Sequence, residues 1–209
     1  MRSAVWVVNI NNYFPELCSL TLPTIERYAK KNKADFNLIT ERKFTDFPVP
    51  YEKLQIHELG KRYDWNILID ADVLIHKDLP EIISFPPNQI YIDAGYEANT
   101  RFIFDDYFLR DGRNRGITTY FVAAHQMCHD IWTPLEFSAI EAKKSITRWH
   151  IADEYCISRN LAKFGLKYKG FLESEKRWML QHIGVQDKND TEKRKSLERA
   201  IKIIRGWNG

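Results

Sequence analysis

The sequence has few cysteines, no long apolar segment and no large excess of charge of one sign. Its three cysteines, Cys18, Cys128 and Cys156, are widely spaced and form no Cys-x-x-Cys pair. This pattern argues against a disulfide framework and predicts reduced thiols in a cytosol-like compartment. No stretch approaches the roughly 18 apolar residues of a membrane span, and asparagine interrupts the short apolar run at the N-terminus, unlike a signal peptide. We therefore expect a soluble cytoplasmic domain without a transmembrane segment.

The charges are close to balance, because 31 basic residues are matched by 28 acidic residues, which gives a net charge of +3. This balance indicates no general tendency to bind nucleic acid. The chain has 209 residues, of which 44% are hydrophobic. It is therefore long enough for one sizeable core, or for one core with an appendage.

Short apolar runs alternate with amphipathic segments along the first part of the chain. The predicted strands are 4–10, 35–40, 65–75, 88–95 and 116–124, and the predicted helices begin at Pro15 and cover 51–63, about 125–143 and 151–164. Pro23 is expected to bend or restart the first helix. The rhythm of strand, helix and strand is typical of an α/β fold with a mostly parallel central sheet flanked by helices.

Two acidic residues interrupt the apolar stretch "WNILIDADVLI" at 65–75. A carboxylate buried without a partner costs several kcal/mol or becomes neutral, so Asp70 and Asp72 need an explanation. On a strand the two side chains project the same way, about 7 Å apart at the backbone. They would lie where an open α/β sheet binds its ligands, beyond the carboxyl ends of the strands. Both can therefore converge on one divalent cation, which completes its shell with water and substrate phosphates.

A simpler interpretation of the same two residues stays open. One aspartate can cap the following turn while the other is exposed at the end of the strand, and a short D-x-D pattern by itself fits both interpretations.

The chain as a whole resembles the GT-A class of nucleotide-sugar-dependent glycosyltransferases, most closely the glycogenin-like retaining families. The segments that carry the resemblance are "NINNYFPELCSLTLPTIERYA", "YEKLQIHEL", "YDWNILIDADVLIHKDLPEI", "NRGI", "ADEYCISRNL" and "LQHIGV". The resemblance implies a Rossmann-like GT-A domain over 1–185, with 186–209 as a charged C-terminal helix or the start of a linker. After Gly184 the sequence "VQDKND" departs from the family's Lys-Pro-Trp, so the group that steadies the leaving diphosphate stays open.

The resemblance also implies which residues form the site. Asp70, Asp72 and His182 would bind Mn²⁺ or Mg²⁺. The residues implied in binding the nucleotide of a UDP-sugar are Asn9, Asn11, Tyr13, Lys53, Asp70 and Ala71. The residues implied in binding the donor sugar are Asn114, Gly116 and Asp153.

The catalytic candidates are Asp153 and Glu154, in the expected first turn of a helix, where backbone donors favour the ionised form. Consecutive helix residues face different ways, so we expect only one of the two acids to meet the sugar. The resemblance favours retention, which needs no dedicated base. Inversion stays open, and it would make one of these acids the general base for the acceptor hydroxyl.

The resulting hypothesis is transfer of a hexosyl or deoxyhexosyl group from a UDP-sugar to a hydroxyl of a glycan or glycoprotein. The similarity to a viral member of the class implies the host cytoplasm if the chain is viral, and it leaves open whether further domains follow Gly209. One alternative is a haloacid-dehalogenase-type phosphatase, with Asp70 as the nucleophile and "FDDYF" at 104–108 as a later acidic pair. Another is a non-catalytic module that binds nucleotide sugars.

Overall fold

The computed structural model of the protein describes residues 1–93, 116–146, 148–184 and 189–208. The strands are β1 Ser3–Val8, β2 Ala34–Ile39, β3 Trp65–Ile69, β4 Val73–Ile75, β5 Ile90–Ile92, β6 Phe121–His125, β7 Tyr168–Gly170 and β8 Leu180–His182. The α-helices are α1 Pro15–Lys31, α2 Ile56–Leu59, α3 Ala139–Ser145, α4 Ala152–Lys163 and α5 Asp190–Asn208. Short 3₁₀ helices cover Val49–Gln55, Ile82–Ser84, Gln126–Trp132, Trp149–Ile151 and Ser174–Met179.

Six of the strands form one mixed sheet in the order β2-β1-β3-β6-β5-β7. β1 is parallel to β2 and β3, and β5 is parallel to β7, whereas β6 runs antiparallel between β3 and β5. The strands β4 and β8 form a separate antiparallel pair. The prediction of an α/β fold with a mostly parallel sheet flanked by helices is confirmed.

Two apolar cores lie on opposite faces of the sheet, because successive strand residues point to opposite sides. Val5 and Ile67 pack with Ile25 of α1 in one core, while Trp6 and Leu68 belong to the other core, which includes residues of α4. The sheet is therefore covered on both faces, as expected of α/β proteins.

The stretch 65–75 is not one strand, so that part of the prediction is wrong. β3 ends at Ile69, and the Asp70 carbonyl then accepts a hydrogen bond from the Val73 amide at 3.1 Å, which closes a turn. β4 begins at Val73 and leaves the main sheet to pair with β8. The turn directs the two aspartates out of the sheet, so strand alternation does not set their separation.

The predicted helices differ from the structure in three places. The segment 51–63 begins as 3₁₀ helix up to Gln55 and continues as one α-helical turn, Ile56–Leu59. The segment 125–143 is broken, because Thr133 takes the extended conformation that a following proline favours. In contrast, α1 continues through Pro23, which lies on its exposed face while the opposite face packs on the sheet.

The predicted strand 116–124 is also shorter than expected. β6 begins only at Phe121, and Ile117 instead donates its amide hydrogen to Ser158 Oγ on α4 at 2.9 Å. The segment 116–120 therefore lies against α4 rather than extending the sheet.

The C-terminal helix α5 packs against α1. Leu17, Leu74, Ile183 and Ala200 form the centre of this contact. Within the described ranges, no helix is both long enough and apolar enough to cross a membrane.

Candidate active site

Asp70, Asp72 and His182 come together at the end of β3. Their ligand atoms all lie within 4.8 Å of one another. His182 reaches this place because β8 pairs with β4, with His182 opposite Val73. In the described part of the chain, this is the one group of three acidic, histidine or cysteine side chains placed to hold a metal ion.

This group of side chains fits a divalent cation. Donor atoms coordinated to one ion at about 2.1 Å are roughly 3 to 4 Å apart; the ligand atoms of the cluster lie within 4.8 Å of one another, and His182 Nε2 is 3.4 Å from Asp72 Oδ1. Oxygen ligands suit Mg²⁺ or Mn²⁺, and one imidazole shifts the preference toward Mn²⁺.

The ionisable groups of the cluster shift one another's pKa values. Burial and the nearby Asp72 raise the pKa of Asp70, although Lys53 opposes this change. Burial would lower the pKa of His182, but its contact with Asp72 at 3.4 Å and the charge of Asp70 raise it above the usual value. A bound cation would reduce the repulsion between the two carboxylates.

Lys53 links this cluster to the second pair of acids. Its Nζ atom lies 2.8 Å from Asp70 Oδ1 and 2.8 Å from Asp153 Oδ2. It also donates to Thr119 Oγ1 at 3.1 Å. Burial alone would lower the pKa of Lys53, but Asp153 and Asp70 raise it above the ordinary value. Lys53 is therefore a buried ammonium group shared by two carboxylates, while its predicted contact with the nucleotide stays a prediction.

Asp153 and Glu154 begin helix α4, as the sequence predicts, and their environments differ. Asp153 is buried and accepts a hydrogen bond from Thr119 Oγ1 at 2.6 Å in addition to the bond from Lys53. Glu154 is partly exposed, and burial together with the Asp153 charge raises its pKa to about 8. The pKa of Glu154 is thus raised, contrary to the expectation that backbone donors at the helix start favour its ionised form.

The predicted nucleotide loop follows β1. Asn9 Oδ1 accepts the backbone N–H of Tyr13 at 2.8 Å, so this side chain shapes the loop. Asn11 is exposed and has φ 55°, a left-handed conformation that asparagine tolerates. Ala71 is buried between the two aspartates, and its carbonyl accepts from Thr21 Oγ1 at 2.5 Å.

Two of the predicted sugar-binding residues, Asn114 and Gly116, shortly precede Ile117 in the sequence. Gly116 is buried and directly precedes Ile117, which is bonded to α4. Asn114 lies outside the described residues, as do the acidic residues of 104–108.

Three residues of the site were not identified from the sequence. Thr119 and Tyr120 lie within a stretch predicted as strand, and their polar atoms gave no separate signal. Thr119 bonds to Asp153, and the Tyr120 ring stacks on His182. Asp93 directly follows β5, so the rule that pointed to Asp70, an acid at the carboxyl end of a parallel strand, could have found it.

No family model matches the chain, and no curated protein matches it by sequence. Its fold is similar to that of a glycosyltransferase involved in glycosylation of the major capsid of PBCV-1, with 11% identity, a TM-score of 0.51, and coverage of 95% of this chain and 99% of that chain. The galactosyltransferase LgtC, solved with donor and acceptor sugar analogues, aligns with 13% identity, a TM-score of 0.55, and coverage of 99% and 96%.

A third similar structure is the bifunctional glycosyltransferase WbbM, with 13% identity and a TM-score of 0.55. The alignment covers 98% of this chain and 51% of WbbM. At such identities the similarity establishes the fold alone. The sheet order and these structural neighbours together show that the chain has the GT-A fold found in glycosyltransferases.

Proposed function

We propose that the chain is a metal-dependent glycosyltransferase that moves a sugar from a UDP-sugar to a hydroxyl group of a glycan or glycoprotein, with retention. The observation that carries this proposal is the convergence of Asp70, Asp72 and His182 at the end of β3, in a GT-A fold. Two carboxylates facing a diphosphate would repel it strongly in a partly desolvated site. We propose that Mn²⁺ or Mg²⁺ occupies this cluster.

Each residue of the site would have a separate role in the transfer. A bound cation supplies Lewis-acid stabilisation of charge on the leaving diphosphate. Asp153, oriented by Lys53 and Thr119, would accept hydrogen bonds from the donor sugar. The raised pKa of Glu154 would make it better suited to donate a hydrogen bond than to act as a base.

We also propose that the nucleotide lies on the loop after β1, with uracil stacked on Tyr13, and that 1–185 form the catalytic domain. Helix α5 would then be an appended element that packs on α1.

The phosphatase alternative has lost support, because the fold is that of glycosyltransferases and Asp70 follows the third strand rather than the first. Moreover, Asp70 Oδ1 is held by Lys53. A non-catalytic nucleotide-sugar-binding module is the remaining alternative. It shares the site and differs only in turnover.

The test is nucleotide binding with and without metal. UDP, GDP and CMP are titrated into the wild type by isothermal calorimetry, in Mn²⁺ and in EDTA. UDP should bind tightly in Mn²⁺ but not in EDTA, and GDP and CMP should bind weakly in both. Asp72→Ala should abolish the Mn²⁺-dependent part. The matched control is Asp78→Ala, since Asp78 is an exposed aspartate outside the cluster.

Binding that survives Asp72→Ala and still responds to Mn²⁺ would place the metal site elsewhere. Incubation with a panel of UDP-hexoses and UDP-deoxyhexoses then distinguishes an enzyme from a binding module. Only an enzyme cleaves the UDP-sugar and so produces free UDP. The anomeric configuration of a product, read by NMR coupling constants, tests retention.

A further inference from the structure

Tyr120 contacts both Asp70 and His182 of the proposed metal site. Its ring is stacked on the His182 ring, with centroids 4.7 Å apart and an interplanar angle of 7°. Its backbone carbonyl accepts the Asp70 N–H at 2.9 Å. Asp70 directly follows β3 of the six-stranded sheet, and His182 belongs to the two-stranded sheet. Tyr120 therefore contacts residues from both sheets.

A hydrogen bond holds the hydroxyl end of the Tyr120 side chain in place. Its phenol group donates a hydrogen bond to Asp93 Oδ2. Asp93 is 4% exposed and directly follows β5, so the acceptor is held by the main sheet. Among the described residues, Asp93 Oδ1 has no hydrogen-bond partner, which makes the Tyr120 hydroxyl the one described group that satisfies this carboxylate.

Within the described ranges, few other contacts hold the His182 ring. It ends the three-residue strand β8, and its side chain is 40% exposed. Its Nε2 atom is 3.4 Å from Asp72 Oδ1, a loose contact. The aromatic stack restrains the plane of the imidazole. Because Tyr120 contacts the face of the ring, the in-plane lone pair of the unprotonated nitrogen stays available for a metal.

We propose that Tyr120, held by Asp93, is a positioning residue that fixes the His182 imidazole for metal binding. This inference depends on the metal-dependent function proposed above. Residues that orient a metal ligand typically contribute roughly 10- to 100-fold to metal affinity. We expect Tyr120→Leu, which removes the stack, to weaken Mn²⁺ binding by roughly ten-fold.

A double-mutant cycle on Mn²⁺ affinity tests this, with binding measured by titration calorimetry and by Mn²⁺ electron paramagnetic resonance. The variants are Tyr120→Leu, His182→Ala and the combination. If Tyr120 acts through His182, Tyr120→Leu should have little further effect once the imidazole is gone. Equal losses in both backgrounds would mean that Tyr120 acts on the site by another path, and the inference would fail.

Conservative variants separate positioning from general stability. Tyr120→Phe keeps the stack and loses the anchor, so it should retain most of the affinity, with a loss of roughly five-fold or less. Asp93→Asn should have a similar effect. Trp178→Leu is the matched control, because Trp178 lies just before β8 but packs on His76. It should leave Mn²⁺ affinity unchanged while circular dichroism confirms that every variant is folded.

The two proposals fail in different ways. If the wild type binds no Mn²⁺, the proposed function fails and this inference fails with it. If the wild type binds Mn²⁺ and Tyr120→Leu binds equally well, only the role of Tyr120 is contradicted.

Discussion

Lys53 and Asp153 are separated by 100 positions in sequence, yet Lys53 Nζ lies 2.8 Å from Asp153 Oδ2. The same ammonium group lies 2.8 Å from Asp70. The buried ammonium group of Lys53 therefore joins the end of β3 to the first turn of α4. Because these carboxylates are candidate ligands for metal and sugar, the contact connects the stability of the fold to the geometry of the site.

We expect Lys53→Met to destabilise the protein by roughly 3 kcal/mol, because removing one partner of a buried ion pair leaves the other charge uncompensated. The measurement is the free energy of unfolding from urea denaturation. In the double variant with Asp153→Asn the two effects should not add, since one substitution removes the charge that the other leaves unpaired. Additive effects would mean that the contact contributes no coupling energy.

Comparison of Asp153→Asn with Glu154→Gln should identify the acid that works on the sugar. We expect Asp153→Asn to lose most transfer while UDP affinity is retained, because Asp153 is the buried acid already oriented by Lys53 and Thr119. Glu154→Gln should lose less, since the amide can still donate a hydrogen bond. Full activity in both variants would remove this helix from the mechanism.

The raised pKa of Glu154 makes stability depend on pH. Its pKa rises to about 8 from 4.5, chiefly through burial and then through Asp153. Between these values the native state holds a proton that the unfolded state releases, so this group lowers stability as pH rises through the window. Glu154→Gln should therefore gain in melting temperature relative to the wild type between about pH 5 and about pH 8. A difference that is constant with pH would contradict this assignment.

Tyr13→Ala tests the position of the nucleotide. If uracil stacks on this ring, UDP affinity should fall about ten-fold, since stacking of a base on an aromatic side chain contributes about 1–3 kcal/mol. Leu38→Ala, an exposed change on β2, serves as the control. Unchanged affinity for UDP would exclude stacking of the base, and a loss seen only with the intact UDP-sugar would move Tyr13 toward the sugar.

A second buried carboxylate supports the helix that carries Lys53. Glu52 is fully buried, and it accepts hydrogen bonds from Arg42 Nε at 2.6 Å and from the backbone N–H groups of Lys43 and Phe44. Glu52→Ala should lower the free energy of unfolding by roughly 3 kcal/mol, because these donors lose their acceptor. Glu58→Ala is the control, since Glu58 is exposed, and a comparable loss in both variants would argue against a special role for Glu52.

The sequence by itself determined the elements whose pattern is local. The apolar run 4–10 became β1 at Ser3–Val8, and the segment 151–164 became α4 at Ala152–Lys163, because burial on one or both faces dictates which residues must be apolar. The acids of the D-x-D stretch were recognisable because a buried run rarely tolerates two carboxylates. The α/β class followed from the order of these segments, whereas the GT-A fold was implied by the resemblance to that class of glycosyltransferases.

Only the tertiary structure decided how distant residues meet. The placement of β6 between β3 and β5 brings Tyr120 beside Asp70 and Thr119 beside Lys53, although the chain order gives no sign of it. The turn at Asp70 starts a second sheet, and the pairing of β4 with β8 then delivers His182 to the site. Local propensity does not encode these contacts, because each depends on strand order and register. For that reason the residues that orient the site are determined by the tertiary structure and not by local sequence.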